Sequence, residues 1–151
     1  MNLELRTIDD ANKDAVELLE VSEQQKLFIA SNKASLDIAA KEEYREIARP
    51  FAIYADGKLI GFTMFAFELT STDPNDRYWL WRFMIDRKFQ GNGYGSAALE
   101  RIIDYFRHHD ANHILLSTKE TNTSAISLYR KYQFSETGEM NGNEIVLRLT
   151  L

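Results

Sequence analysis

A short stretch rich in glycine constrains this chain more than any other feature of its sequence. Three of the seven glycines fall within five residues, in Gln90-Gly91-Asn92-Gly93-Tyr94-Gly95-Ser96. The stretch follows an apolar, aromatic-rich run and precedes a segment with helical periodicity, so it predicts a turn from a strand into a helix. Glycine lets the backbone approach a ligand closely, and the first N–H groups of a helix have no intrahelical acceptor. The stretch therefore predicts a cradle for an anion such as a pyrophosphate.

Two familiar phosphate-binding loops do not fit this stretch. The Walker loop ends in Gly-Lys-Ser/Thr, whereas the stretch continues as Gly95-Ser96-Ala97 without a lysine. The dinucleotide fingerprint needs the spacing G-x-G-x-x-G, whereas Gly91, Gly93 and Gly95 follow one another at every second residue. An ordinary tight turn is the alternative that the glycines alone leave open.

The remaining sequence alternates between strand and helix patterns. The dipeptides Asp56-Gly57 and Asn141-Gly142 each lie between apolar runs, which predicts two hairpins. In the segment before Pro50, Val16, Leu18 and Leu19 are expected to line one helix face. We expect one mixed α/β domain over residues 1–151. The predicted strands are 3–6, 51–54, 59–67, 78–85, 114–116, 134–137 and 144–151, and the predicted helices cover about 11–47, 96–109 and 122–132.

Composition limits the classes of protein to which the chain can belong. The formal net charge is −5, which disfavours nucleic-acid binding because such proteins need a basic footprint. The absence of cysteine excludes disulfides, thiolate zinc sites and a cysteine nucleophile. No stretch approaches the roughly 18 apolar residues of a membrane span, and the N-terminus lacks the pattern of a secretion signal. We therefore expect a cytoplasmic protein with neither a nucleic-acid nor a membrane partner.

Three histidines raise the question of a metal site. His108 and His109 are adjacent, so on a helix they point about 100° apart. No carboxylate cluster accompanies them or His113 in the sequence. We expect no metal, and we interpret these histidines as a helix end, where a basic side chain suits the helix dipole.

A second motif, Asn122 to Phe134, changes the interpretation of the glycine stretch. With this motif the chain resembles the GNAT superfamily of N-acetyltransferases. The signature Q-x-x-G-x-G matches Gln90, Gly93 and Gly95. The order of the predicted elements is also similar over essentially the whole chain. The later pattern N-x-x-A-x-x-L-Y-x-K-x-x-F matches Asn122, Ala125, Leu128, Tyr129, Lys131 and Phe134.

The resemblance implies a fold, a co-substrate and a reaction. The implied fold is a mixed, mostly antiparallel central sheet with splayed central strands, flanked by helices. Acetyl-coenzyme A would be the acetyl donor, and a neutral amine would attack its thioester. Tyr129 would be catalytic, giving a proton or a hydrogen bond to the departing thiolate. The residues implied to bind the coenzyme are Phe83, Met84, Ile85, Gln90, Gly91, Asn92, Gly93, Tyr94, Gly95, Ser96, Asn122 and Tyr129.

Each implied role has a plain structural alternative, and the chain departs from its relatives at two places. Tyr129 could simply pack in the core, and Asn122 could simply cap the helix that follows it. Some relatives carry a glutamate on the central strand as a base, whereas residues 79–82 contain no carboxylate. Gln133 stands where relatives often have glycine.

The acceptor is expected to be a small primary amine. Residues 28–36 and 81–86 resemble bacterial diamine and polyamine acetyltransferases, and the acidic balance suits a polycation. We expect Glu23, Glu43 and Trp81 to bind this amine, with Glu42, Glu68, Asp73 and Asp76 as further available carboxylates. The resemblance also suggests a homodimer. A peptide N-terminus, an amino acid or an aminoglycoside is an alternative acceptor, and a non-catalytic acyl-coenzyme A sensor is an alternative function.

Overall fold

One sheet of seven strands runs through the chain, and the computed structural model describes all residues from Met1 to Leu151. The strand order is β1-β2-β3-β4-β5-β7-β6, and only β4 and β5 are parallel neighbours. The predicted mixed, mostly antiparallel sheet flanked by helices is therefore confirmed. The strands are β1 (Leu3–Thr7), β2 (Ala48–Ala55), β3 (Lys58–Phe67), β4 (Tyr78–Ile85), β5 (His113–Thr118), β6 (Ser135–Asn141) and β7 (Glu144–Thr150), and the helices are α1 (Lys13–Leu18), α2 (Asn32–Ala39), α3 (Tyr94–His108) and α4 (Thr123–Lys131).

Both predicted hairpins are present. β2 and β3 pair antiparallel around Asp56-Gly57, whose φ angles of 50° and 81° are both positive. Positive φ at both central residues matches the right-handed twist of the flanking strands. β6 and β7 pair in the same way around the second dipeptide, with Asn141 opposite Glu144.

The segment before β2 contradicts the prediction of helix over residues 11–47. It contains two short α-helices, α1 and α2, and 3₁₀ turns at Gln25–Leu27 and Glu42–Tyr44. The helix α1 ends because Leu19 adopts an extended conformation, and α2 begins afresh where the Ser31 hydroxyl accepts from the Ala34 N–H. Leu18, expected on the packed face, is 81% exposed. The segment wraps over the sheet in pieces instead of burying one continuous face.

Helices cover both faces of the central strands. In β3 the side chains of Phe62 and Met64 pack with Val16 and Leu36 of α1 and α2. The side chain of Phe65 lies on the other face, in a cluster with α3 and α4. Because both faces are covered, β3 is buried almost throughout, which explains its nearly continuous apolar sequence.

The C-terminus of α4 forms a Schellman motif. The N–H of Phe134 donates to the carbonyl of Tyr129 at 3.1 Å, and the N–H of Gln133 donates to the carbonyl of Arg130 at 3.0 Å. The Phe134 ring lies 5.5 Å from the Tyr129 ring, which supplies the apolar contact typical of this motif. The motif requires a left-handed residue, and Gln133 adopts it with φ of 76°.

We predict that Gln133→Gly stabilises the protein. Gln133 is exposed and makes no side-chain hydrogen bond, so the substitution mainly relieves left-handed strain, by about 0.5–1 kcal/mol in the free energy of unfolding. Denaturant unfolding measures the change, and Gln133→Ala, which removes the side chain but keeps the strain, should bring no gain. Equal stability of the two variants would contradict the prediction.

Candidate active site

The two parallel strands at the centre of the sheet diverge. β4 and β5 share one bridging pair, Trp79 with Leu115. On its other side β4 pairs with β3, and the register shifts where Met64 faces Arg82 but the next β3 residue faces Leu80. Trp81 is thus the extra residue of a β-bulge, and a bulge bends its strand. The divergence leaves a cleft of about 1330 Å³ between β4 and β5.

Most of the predicted coenzyme-binding residues line this cleft. They come from β4, from the glycine stretch and from the first turns of α4. The members that line it are Phe83, Met84, Ile85, Gln90, Gly91, Gly95, Asn122 and Tyr129. Asn92, Gly93, Tyr94 and Ser96 belong to the same loop and helix start but are not among the lining residues.

The glycine stretch presents backbone donors. Gly91 and Gly93 adopt φ of 79° and 82°, which side-chain-bearing residues rarely adopt. The helix α3 begins at Tyr94, two residues before its predicted start, and Gly93 at its N-cap offers no side-chain acceptor. The first intrahelical bond is from the Ala97 N–H to the Gly93 carbonyl, so the N–H groups of residues 94–96 have no intrahelical acceptor. This arrangement fits a phosphate group.

The side chains of the stretch support the loop. The Gln90 side-chain amide donates to the Ile85 carbonyl at 2.9 Å and to Gln25 Oε1 at 2.8 Å. The Asn92 side chain donates to the Gln90 carbonyl at 3.2 Å, and the Tyr94 ring packs against Phe89. These contacts hold the loop at the end of β4 without using the backbone N–H groups of residues 91–96.

Tyr129 belongs both to the core and to the cleft. It is 9% exposed, packs in the α3 and α4 cluster and lines the cleft. Its hydroxyl makes no hydrogen bond to the protein. Burial raises the pKa of the Tyr129 phenol far above its ordinary value. The phenol is therefore protonated at neutral pH, with its proton available to a group in the cleft.

Asn122 does not cap α4 as the sequence suggested. It occupies the N-cap position, but its side chain accepts no hydrogen bond from the helix. Its side-chain amide instead donates to Thr118 Oγ1 of β5 at 3.0 Å. The carbonyl oxygen of this side chain has no protein donor, so it can accept a hydrogen bond within the cleft that Asn122 lines.

The predicted acceptor residues separate in the structure. Trp81 lines the cleft, with its ring 5.4 Å from that of Tyr44. Glu23 lies outside the lining, with its side chain 81% exposed and paired with Lys26 at 2.8 Å. Glu43 is exposed and does not line the cleft either.

Four other carboxylates line the cleft. Glu68 and Asp76, available from the sequence, lie near one another, and Glu139 and Glu144 enter from the β6–β7 hairpin. Burial and the neighbouring charge of Asp76 both raise the pKa of Glu68. None of the four forms a salt bridge within the protein. Sequence reasoning missed the hairpin pair, although the Asn141-Gly142 turn could have indicated a loop beside the site.

The basic residues of the cleft are fewer. Lys26 is already paired with Glu20 and Glu23. Arg82 forms no salt bridge, and burial lowers the pKa of its guanidinium. The unpaired carboxylates therefore outnumber the unpaired cation in the lining.

Two of the three histidines lie at a helix end, as predicted, and the third does not. His108 closes α3 and His109 is its C-cap, but His113 begins β5 and is fully buried. No group of three or more His, Cys, Asp or Glu side chains is arranged to hold a metal ion. No helix combines the length and hydrophobicity needed to cross a membrane.

Comparison with known proteins gives the family. The model of the acetyltransferase (GNAT) family matches residues 8–134. The spermine/spermidine N(1)-acetyltransferase of Bacillus subtilis (strain 168) is 33% identical over 98% of this chain and 99% of that protein. The chain belongs to the GNAT acetyltransferase family. It is an acetyl-coenzyme A-dependent N-acetyltransferase, and the resemblance stated from the sequence is confirmed.

Solved structures agree with this GNAT fold. An aminoglycoside acetyltransferase in complex with coenzyme A superposes with a TM-score of 0.78 at 14% identity, covering 99% of this chain and 95% of that one. The spermidine N-acetyltransferase from Vibrio cholerae, in complex with coenzyme A and spermine, gives 0.71 at 21% identity, covering 99% and 94%. At these identities the similarity concerns the fold.

Proposed function

We propose that this GNAT acetyltransferase acetylates a primary amine of a polyamine such as spermine or spermidine. The observation that carries the proposal is the pair of unneutralised carboxylates, Glu68 and Asp76, in the lining of a cleft that also contains Tyr129. The Bacillus subtilis relative named for spermine and spermidine acetylation supports it over nearly the full chain.

The co-substrate is proposed to lie along the diverging edge of β4. The backbone of Phe83, Met84 and Ile85 has no strand partner on the β5 side, so it can pair with an extended amide-bearing arm. The N–H groups at the start of α3 would hold the pyrophosphate. The free carbonyl oxygen of Asn122 would accept a hydrogen bond from the same arm.

The acceptor is proposed to occupy the side of the cleft that Trp79, Trp81 and Tyr44 line. Carboxylates neutralise the distal ammonium groups of a polyamine, and aromatic faces attract them by cation–π contact. Glu68 and Asp76 repel one another when both are ionised, so a bound ammonium group relieves an unfavourable interaction. A neutral diol or a carboxylic acid would gain no such benefit.

The reaction needs two substrates held together and a proton for the leaving group. Acetyl-coenzyme A supplies an acetyl group activated as a thioester. Holding both substrates in one cleft replaces a collision between two molecules with a step inside the complex. Tyr129, whose phenol is protonated at neutral pH, would give the departing sulfur a hydrogen bond or its proton. Because residues 79–82 of β4 carry no carboxylate, the acceptor ammonium would lose its proton to water or to a carboxylate from another part of the cleft.

We also propose that the protein is a homodimer and that it is located in the cytoplasm. The homodimer rests on the resemblance to families in which dimers are common. The cytoplasmic location is proposed because a chain without cysteine needs no oxidising compartment for disulfides.

The function predicts a specific pattern of thiol release from acetyl-coenzyme A. We expect rapid release with spermine and spermidine and slow release with free amino acids, short peptides and an aminoglycoside. Thiol release against this panel of amines measures the preference. Rapid release with another amine would confirm the acetyltransferase activity but contradict the proposal that the substrate is a polyamine. Coenzyme binding without release on any amine would favour the sensor alternative.

The acidic pair predicts a selective loss of polyamine binding. In the double variant Glu68→Gln with Asp76→Asn, the KM for spermine should rise about tenfold or more, because two charge pairs of about 1 kcal/mol each are lost. The KM for acetyl-coenzyme A should stay unchanged. Glu23→Gln and Glu43→Gln, which remove exposed charges outside the cleft, are the matched controls. An equal rise in the controls would show that only net charge matters.

The role of Tyr129 predicts a loss of turnover without a loss of stability. Tyr129→Phe should lower kcat with saturating substrates by about 10²-fold, as expected when a general acid is removed. The midpoint of thermal unfolding should be unchanged or slightly raised, since the hydroxyl makes no hydrogen bond to the protein and is not fully buried. Unchanged turnover in a folded variant would leave Tyr129 as a core residue only.

A further inference from the structure

One arginine in the cleft has contacts that the proposed function does not use. The guanidinium of Arg82 lines the cleft and has no carboxylate within salt-bridge distance. Removing a guanidinium from water is costly, so burial lowers the pKa of Arg82, and the negative charge of Glu144 offsets this only in part. The hydrogen bonds of Arg82 indicate what its guanidinium does at this position.

Those hydrogen bonds lead to the backbone of β4. Arg82 Nη1 donates to the carbonyl of Trp81 at 3.1 Å, and Arg82 Nε donates to Ser35 Oγ at 3.1 Å. Ser35 is fully buried in α2, and its hydroxyl donates to the Ser31 carbonyl at 3.1 Å. The guanidinium is thus fixed to a helix at one end and to the bulged residue of β4 at the other.

The next peptide unit is held as well. The buried hydroxyl of Thr63 on β3 donates to the Arg82 carbonyl at 2.7 Å. A peptide unit is planar and trans, so fixing its carbonyl also fixes the direction of its N–H. Side chains therefore fix the two consecutive peptide units that flank Arg82, at the place where the ladder is interrupted.

We propose that Arg82 is a positioning residue, which holds the bulged peptide of Trp81 from α2 so that the N–H groups of β4 are aimed into the cleft. Preorganised backbone donors stabilise the negative charge that develops on a thioester carbonyl oxygen during amine attack. Arg82 acts on the reaction through the backbone of β4. Its contribution is expected in kcat, because the charge develops only in the transition state.

Two variants distinguish the positioning role of Arg82 from an effect of its positive charge. Arg82→Met removes the hydrogen bonds and the charge, and should lower kcat by about 10–100-fold, the range for a misaimed catalytic group. Ser35→Ala keeps the arginine and its charge but removes its anchor, and should lower kcat in the same direction by a smaller factor. In both variants the KM values for acetyl-coenzyme A and for spermine should stay within about twofold. Arg101→Met, on the exposed face of α3, is the matched control and should be unchanged.

The result can overturn the proposal in three ways. A normal kcat in Arg82→Met would show that the bulge holds its geometry alone. A normal kcat in Ser35→Ala beside a low kcat in Arg82→Met would assign the effect to charge. A raised KM for spermine with a normal kcat would make Arg82 a substrate contact. Loss of both kcat and thermal stability in Arg82→Met leaves Ser35→Ala as the deciding variant.

Discussion

The active site of this acetyltransferase forms where its two parallel strands diverge. β4 and β5 meet at one pair of residues and then separate, so one edge of β4 lies inside the sheet without a strand partner. Unpaired backbone groups within a protein must find other partners. The bulge at Trp81 bends β4 away, and the ladders to β3 and from β5 to β7 keep both strands in place. The cleft therefore forms because β4 and β5 are each paired on their outer sides, to β3 and β7, but are almost unpaired with one another.

The helices supply the hydrogen-bond donors and side chains that complete the site beside the open edge of β4. α3 begins at the glycine stretch that follows β4, and its uncapped N-terminus provides donors for an anion at the mouth of the cleft. α4 follows β5, and its Schellman end holds Tyr129 by a backbone bond and by the ring of Phe134. The short α2 anchors the guanidinium that reaches the bulge. Each helix thus links a local backbone feature to a different part of one site.

Features with local causes could be predicted from the sequence. Both hairpins follow from Asp-Gly and Asn-Gly, and the glycine stretch marks the junction of β4 and α3. Tertiary contacts explain the errors. Asn122 has the chemistry of an N-cap, but its side-chain amide donates to Thr118 on β5 and its carbonyl oxygen accepts no hydrogen bond from the helix. Residues 11–47 show helical periodicity, yet their contacts with the sheet divide them into short pieces.

The acidic residues illustrate the same limit. Glu23, Glu43 and Glu68 are equivalent in the sequence, and only the packing of the loops determines which of them reaches the cleft. Glu23 finds a nearby lysine instead. The net negative charge of the sequence indicates that a cation is a suitable substrate. Which carboxylates can contact that cation is determined by the tertiary structure.

Residue-resolved amide hydrogen exchange, with and without coenzyme A, tests the open edge of β4 most directly. The N–H groups of residues 81–85 that face β5 should exchange quickly in the free protein and slow by about tenfold or more with saturating coenzyme. The amides that pair β5 with β7 serve as the internal reference and should change little. Slow exchange of the β4 edge in the free protein would show that this edge is not open, and no protection on adding the coenzyme would show that the coenzyme does not pair with it.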